Sequence, residues 1–162
     1  MRWTALCALA LACGCDSDGS AVVSGTIGEF DFMEAPTVMH GGPYLILFDR
    51  TVECLDMAWV NKVYSESEPP ASFDFVALEF ANVDDGWWVA NFSLGGGAGV
   101  SALGLMLEDD EFEWIRGREG TLNITEVGDR EQDPVVGEFE VTFGEGAVTG
   151  EFESAYCRNL RP

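Results

Sequence analysis

Apolar and polar residues alternate along most of the chain from Val22 onward, as in strands that bury one face. Short alternating runs separated by turn residues predict about eight or nine strands and therefore an all-β domain. We expect an antiparallel β-sandwich with one short helix, and a closed antiparallel β-barrel is the alternative. The predicted strands span residues 22–32, 44–49, 73–83, 87–94, 100–107, 112–116, 121–127, 135–143 and 148–156.

Two turn sequences that contain glycine predict hairpins. Asp84-Asp85-Gly86 is a strong hairpin signal, and it predicts that the strands on either side of it pair with each other. Gly144-Glu145-Gly146 predicts a last hairpin in the same way. The polar residues 128–134 are expected to form the loop that precedes this last hairpin.

One stretch departs from the alternation. Apolar residues at helical spacing, with Thr51 as a suitable N-cap, predict a short helix within residues 51–64. Residues 33–43 contain Pro36 and a Gly-Gly-Pro sequence, so we expect them to be mostly loop. His40 is the only histidine of the chain, and this prediction places it in a surface loop.

The first fifteen residues have the composition of a secretory signal of the bacterial lipoprotein type. Arg2 precedes an apolar run over residues 3–12, which is too short for a spanning helix of roughly 20 residues. Residues 11–15 resemble a lipobox, where a signal peptidase cuts before a cysteine that carries diacylglycerol. The predicted organisation is a signal peptide at 1–14, a lipidated cysteine with a short tether at 15–21, and a single β domain at 22–162.

The number of cysteines favours Cys15 as the lipidated residue, with Cys13 as the alternative. Cleavage after residue 14 leaves Cys54 and Cys157 as one even pair, which we expect to form a disulfide. Lipidation of Cys13 would instead leave Cys15 as an odd thiol in an oxidising compartment, where such a thiol is a liability.

The charge of the chain restricts its partners. With 29 acidic and 8 basic residues, the formal net charge is −21, and cleavage of the signal removes one further positive charge. Nucleic acid is excluded as a partner because its phosphates would be repelled, and direct docking on anionic lipids is disfavoured. A basic protein or an uncharged glycan fits this charge. Hydrophobic residues make up 47% of the chain, which excludes an acidic disordered protein.

The C-terminal sequence resembles the ending of small bacterial secreted or lipoprotein β-domains of unknown function. Their last strands carry Val-x-Gly-x-Phe and end on a cysteine, as do residues 148–157 here. Residues 120–125 and 136–143 extend the resemblance, and Cys54 is similar to the usual partner of the last cysteine. The resemblance implies a β fold and a location in the cell envelope, and it implies no activity.

The last predicted hairpin places four glutamates on one outer face. Pairing Phe143 with Val148 would set two pairs of like charges directly opposite each other, which destabilises a sheet. We expect a solvated acidic face that keeps the protein soluble and blocks edge pairing. Neighbouring arginines, a bound Ca²⁺ or a basic partner would offset the repulsion, and oxygen ligands suit Ca²⁺. The predicted pairs are Glu140 with Glu151 and Glu138 with Glu153, and Glu29 and Asp31 would join them if the first strand lay alongside.

No catalytic residue is predicted. The His-Gly-Gly sequence at His40 resembles the oxyanion loop of α/β-hydrolases, but residues 99–103 fail to complete the Gly-x-Ser-x-Gly elbow that this chemistry needs. Trp87 and Trp88 are neighbours in a predicted strand and point to opposite faces. We expect a role in the core or in edge packing, and an exposed tryptophan that stacks on a sugar or contacts a partner is the alternative.

The sequence therefore predicts a membrane-anchored lipoprotein of the bacterial cell envelope, exposed to the periplasm or to the cell surface. We expect a non-enzymatic binding or structural module, with no cofactor other than the Ca²⁺ considered above. A hydrolase built from carboxylates and a barrel that carries a small apolar ligand are the alternatives.

Overall fold

The structure is a computed structural model, and it describes residues 19–54, 75–82, 84, 86–94, 99–108 and 111–160. These residues form one all-β sheet that closes into a barrel of nine strands, with three further short strands outside the ring. The elements are β1 (Gly19–Ile27), β2 (Phe30–Asp31), β3 (Ala35–Gly41), β4 (Tyr44–Phe48), β5 (Phe75–Asn82), β6 (Ala90–Leu94), β7 (Val100–Glu108), β8 (Glu111–Arg116), β9 (Glu119–Val127), β10 (Val135–Thr142), β11 (Ala147–Glu153), β12 (Ala155–Tyr156) and a 3-10 helix at Arg158–Leu160.

The ring runs in the order β3, β4, β5, β7, β6, β9, β10, β11 and β1, and β1 pairs back with β3. The all-β prediction is confirmed, and the predicted sandwich is wrong because β1 bonds to strands on both sides. The two sheets of a sandwich thereby become one closed barrel, which was the alternative prediction. Outside the ring, β2 pairs with β1, β8 with β7, and β12 runs parallel to β3.

Several predictions fall on residues that the structure does not describe. Cys13 and Cys15, the two candidates for lipidation, lie outside the described residues. Most of the helix predicted within residues 51–64 also lies outside them, from residue 55 onward.

The hairpin predicted across Asp84-Asp85-Gly86 is wrong. β7 lies between β5 and β6, and β5 pairs with β7 along its whole length. A local turn is present, since the Asn82 side chain accepts from the Asp84 amide and donates to Gly86 O. The chain then continues across the end of the barrel, and β6 pairs with β9 instead. A turn signal reports local geometry, and it does not determine which strand a following segment joins.

The strands before residue 42 also differ from the prediction. β1 begins at Gly19, so residues 19–21 belong to the barrel and not to the tether. The predicted strand 22–32 is interrupted at Gly28, which takes a φ of 61°.

Residues 33–43 are not mostly loop, because β3 occupies most of them. Pro36 is tolerated in β3 because it lies beside the irregular register between β1 and β3.

The barrel has an apolar cluster on each side of its wall. The inner cluster fills the interior, where the rings of Phe80 and Phe139 meet edge to face with centroids 5.3 Å apart. The outer cluster lies over β3, β4, β5 and β7 and includes Ile46 and Leu105. β4 is covered on both faces, which explains its unbroken apolar sequence.

The predicted disulfide between Cys54 and Cys157 is confirmed, with the two Cα atoms 5.4 Å apart. It joins the outer cluster to the C-terminal segment and links residues separated by 103 positions. Constraining a loop of that length stabilises a fold by roughly 4–5 kcal/mol in the chain-entropy model.

The last hairpin forms as β10 and β11, but its predicted register is wrong by two residues. Thr142 pairs with Ala147, which leaves residues 143–146 in the turn, where Gly146 takes a φ of 88°. Phe143 therefore belongs to the turn and not to a pair. The observed pairs are Glu138 with Glu151, Glu140 with Thr149 and Val136 with Glu153.

One directly opposed pair of like charges thus remains, Glu138 with Glu151. Replacing Glu151 with Lys should increase the free energy of unfolding in urea by roughly 0.2–1 kcal/mol more than Glu153→Lys does. Both changes reduce the net charge equally, but residue 153 faces Val136 and gains no opposite charge. Equal effects of the two changes would contradict the register.

Candidate functional site

A cavity of about 560 Å³ lies at one end of the barrel. Three connections form this end: the β3–β4 turn, the described residues 84 and 86–89 between β5 and β6, and the β9–β10 loop at 128–134. We call it the cavity end. The volume is within the range of small-molecule sites. The side chains of its wall that carry chemistry are His40, Trp87, Asp129, Arg130, Glu131 and Asp133.

The β9–β10 loop, which was predicted as a polar loop, holds its shape through bonds between Arg130 and Asp133. The Arg130 amide donates to Asp133 Oδ2 at 3.0 Å, and the Asp133 amide donates to Arg130 O at 2.9 Å. The Asp133 side chain also packs against Gly128, where any Cβ would collide with it. The loop is therefore a defined turn that presents charged side chains to the cavity.

Trp87 forms the aromatic part of the cavity wall. Its indole N–H donates to Tyr44 O at 3.4 Å, and its ring meets Phe92 edge to face with centroids 6.1 Å apart. These contacts fix a half-buried ring beside the cavity, while Trp88 is 42% exposed. Trp87 is thus partly packed into the structure and Trp88 is exposed, and neither lies in a strand.

His40 is not in a surface loop as predicted, because it lies on β3 and is only 4% exposed. Its Nε2 lies 3.2 Å from Glu131 O, and its Nδ1 lies 2.8 Å from Ser154 Oγ. A carbonyl only accepts, so Nε2 donates to Glu131 O, while Ser154 Oγ, which also lies 3.0 Å from Val135 O, is within hydrogen-bond distance of Nδ1. The imidazole thus joins the β9–β10 loop to the end of β11.

The Ser154–His40 pair has a structural role. Ser154 is 1% exposed, and its hydroxyl oxygen accepts from the Val135 amide at 3.1 Å. A buried hydroxyl held in this way offers no path to a substrate, and a nucleophile needs one. Nothing in the sequence near Ser154 indicated this contact, because it depends on how β11 leaves the barrel.

Burial lowers the pKa of His40 from 6.5 to about 4, since the low-dielectric interior disfavours the charged imidazolium. His40 is therefore neutral at physiological pH, and its ring contacts the Glu131 carbonyl and Ser154 Oγ in that state.

The glutamates of the predicted acidic face, considered above as a Ca²⁺ site, do not line the cavity. Glu138, Glu140, Glu151 and Glu153 are exposed on the outer face of β10 and β11, and Asn123 Nδ2 donates to Glu138 Oε1 at 2.9 Å. Within the described part of the chain, no three His, Cys, Asp or Glu residues are grouped so as to hold a metal ion.

Glu29 and Asp31 do not join this outer face. Gly28 N donates to Glu145 O at the opposite end of the barrel from the cavity, so Glu29 lies there. Asp31 pairs with Thr26 near the same end.

Comparison with known proteins gives no match: no protein-family model fits the chain, and no curated protein and no solved structure is significantly similar to it. No helix in the described part of the chain is both long and apolar enough to span a bilayer.

The lowered pKa of His40 predicts a pH-dependent contribution to stability. The folded-state pKa of about 4 lies below the unfolded value of 6.5. The contribution is therefore complete above pH 6.5 and is lost as the pH falls toward 4. It amounts to roughly 3 kcal/mol.

We expect the difference in unfolding free energy between the wild type and His40→Gln to shrink by roughly that amount between pH 7.5 and about pH 4. Urea titrations at several pH values measure it, and carboxylate titration cancels because both proteins share it. A difference that does not change with pH would show that His40 has an ordinary pKa.

Proposed function

We propose that this protein is a lipid-anchored extracytoplasmic module of the bacterial cell envelope that binds a neutral, hydroxyl-rich ligand such as a glycan fragment at its cavity end. The observation that carries the ligand class is the composition of the cavity wall. The indole of Trp87 offers an apolar ring, and Arg130 and Asp129 offer hydrogen-bond donors and acceptors around it.

The charges in the wall favour a neutral ligand. Asp129, Glu131 and Asp133 outnumber Arg130, and the whole chain carries a net charge of −21, so an anion would be repelled. A cation would pair with the carboxylates, but it would leave the Arg130 guanidinium without an acceptor. Hydroxyl groups both donate and accept, and therefore they satisfy both signs.

The barrel interior is a less suitable place for a ligand than its end. Phenylalanines fill it, among them Phe80, Phe139 and Phe152, in a cluster of buried apolar side chains. An apolar ligand would have to displace these side chains, which are packed against each other. This favours the cavity end over the carrier alternative.

Two features support the envelope location. The first fifteen residues carry the lipoprotein-type signal described above. The Cys54–Cys157 disulfide is typical of proteins that fold in an oxidising compartment.

Lipidation at Cys15 can be tested by labelling cells with radioactive palmitate. The wild type and Cys13→Ser should incorporate the label, because Cys13 leaves with the signal peptide, whereas Cys15→Ser should not. Label that is retained in Cys15→Ser and lost in Cys13→Ser would move the anchor to Cys13. The absence of label from the wild type would contradict the lipid anchor.

Ligand binding can be followed through the indole N–H signal of Trp87 in ¹⁵N NMR, assigned with Trp87→Phe. We expect chitotriose or maltotriose to shift this signal, and Arg130→Ala to weaken binding roughly tenfold, the effect of losing a hydrogen bond to a charged group. Arg116→Ala removes an equal charge from exposed β8 and should leave binding unchanged.

Spermidine serves as the cationic comparison in the same titration. A shift with spermidine and with neither trisaccharide would favour a basic ligand over a glycan. No shift with any of the three would contradict binding at the cavity.

A further inference from the structure

The chain enters the barrel at the cavity end. Gly19, the first residue of β1, pairs with Val38, which lies two positions before His40 on β3. The neighbouring Ser20 pairs with Glu153 at the end of β11. From Cys15 to Gly19 the chain spans at most ~14 Å when fully extended. An anchor at Cys15 therefore holds this end of the barrel close to its membrane.

The same end carries exposed apolar side chains. Trp88 is 42% exposed and Val89 is 62% exposed, and both follow Trp87 in the segment that leads into β6. The Trp88 ring is braced edge to face against Phe92, with centroids 5.1 Å apart. Trp88 and Val89 thus form neighbouring exposed apolar side chains, and adjacent apolar groups of this kind occur where proteins contact membranes or partners.

We propose that Trp88 and Val89 rest in the interfacial region of the membrane that holds the lipid anchor, so that the cavity end faces the bilayer. This inference rests on the anchor proposed above. Tryptophan favours this region because its ring is apolar and its N–H is polar. The short distance from the anchor to the barrel end brings the two side chains to the membrane surface without any further extension of the chain.

The charges of the side chains at the cavity end determine which lipid headgroups this end can approach. Asp84, Asp129 and Glu131 are exposed there, and Arg130 and Arg158 are the basic residues that the described part of the chain places near them. An anionic surface would repel this end, so the partner is a bilayer whose headgroups carry no net charge.

Trp114 provides a matched control for Trp88. It is 62% exposed, and it pairs with Leu105 near the β7–β8 connection, at the opposite end of the barrel. The two tryptophans thus differ in their distance from the anchor, although both face solvent.

The test uses the acylated full-length mature protein in phosphatidylcholine vesicles, part of whose lipid carries bromine on the acyl chains to quench nearby tryptophan. We expect quenching of the wild type, its loss in Trp88→Phe and its retention in Trp114→Phe. Added phosphatidylglycerol should reduce the quenching. Vesicle flotation of each protein, with Cys15→Ser as the unanchored form, reports the anchor separately.

The outcomes separate the two proposals. Protein that floats with the vesicles but is not quenched through Trp88 would overturn the membrane contact and leave the anchor intact. Quenching that is lost in Trp114→Phe would place the wrong end at the membrane, and stronger quenching with phosphatidylglycerol would overturn the choice of a neutral surface. Wild-type protein that fails to float would overturn the anchor and this inference together.

Discussion

The seam at which β1 meets β3 is the constraint on which the barrel depends. Only two residue pairs join these strands, Gly19 with Val38 and Ala21 with Ala35, and the register shifts between them. The backbones approach so closely that a Cβ on Gly19 would collide with Val38 O and with the Ala155 amide. Closure is therefore possible only with glycine at this position. The two residue pairs also leave few hydrogen bonds between β1 and β3 to keep the ring closed.

The C-terminal segment reinforces the seam from outside. β12 adds a parallel pair of residues to β3, and the Cys157 amide donates to His40 O at 2.8 Å. The disulfide then fixes Cys157 to Cys54 in the outer cluster. Because a covalent bond of this kind acts mainly on the unfolded chain, it stabilises closure without requiring a better register at the seam.

His40 connects the closure of the barrel to the cavity. Its backbone carbonyl accepts from the Cys157 amide, in the segment that reinforces the seam, whereas its side chain bonds Ser154 and the Glu131 carbonyl of the β9–β10 loop. The position of Arg130, one residue before Glu131, therefore depends on a buried neutral imidazole. A protonated His40 would carry a charge in a largely desolvated position, so acid acts at this residue on the loop and on the segment that reinforces the seam.

The alternation of apolar and polar residues predicted the strands wherever one face is buried and the other is solvated. β10 is the clearest example, with Phe139 and Val141 inside and Glu138 and Glu140 outside. The prediction failed on β3, which is buried on both faces and contains Pro36, because its sequence lacks alternation. Strand pairing around β7, the register of the last hairpin and the buried position of His40 depend on contacts between distant residues, which no local pattern encodes.

The two ends of the barrel are not equivalent, because one is tightly packed and the other carries the cavity. At the end away from the cavity, Ile27 packs so tightly against Gly104 that no Cβ fits there. At the other end, the loops leave a cavity with Trp87 in its wall, and the chain enters beside it. Because a closed barrel exposes no free strand edge in its ring, its ends are where loops can form a concave site. The entry of the chain, the exposed indole of Trp88 and the cavity therefore lie at one end of the barrel.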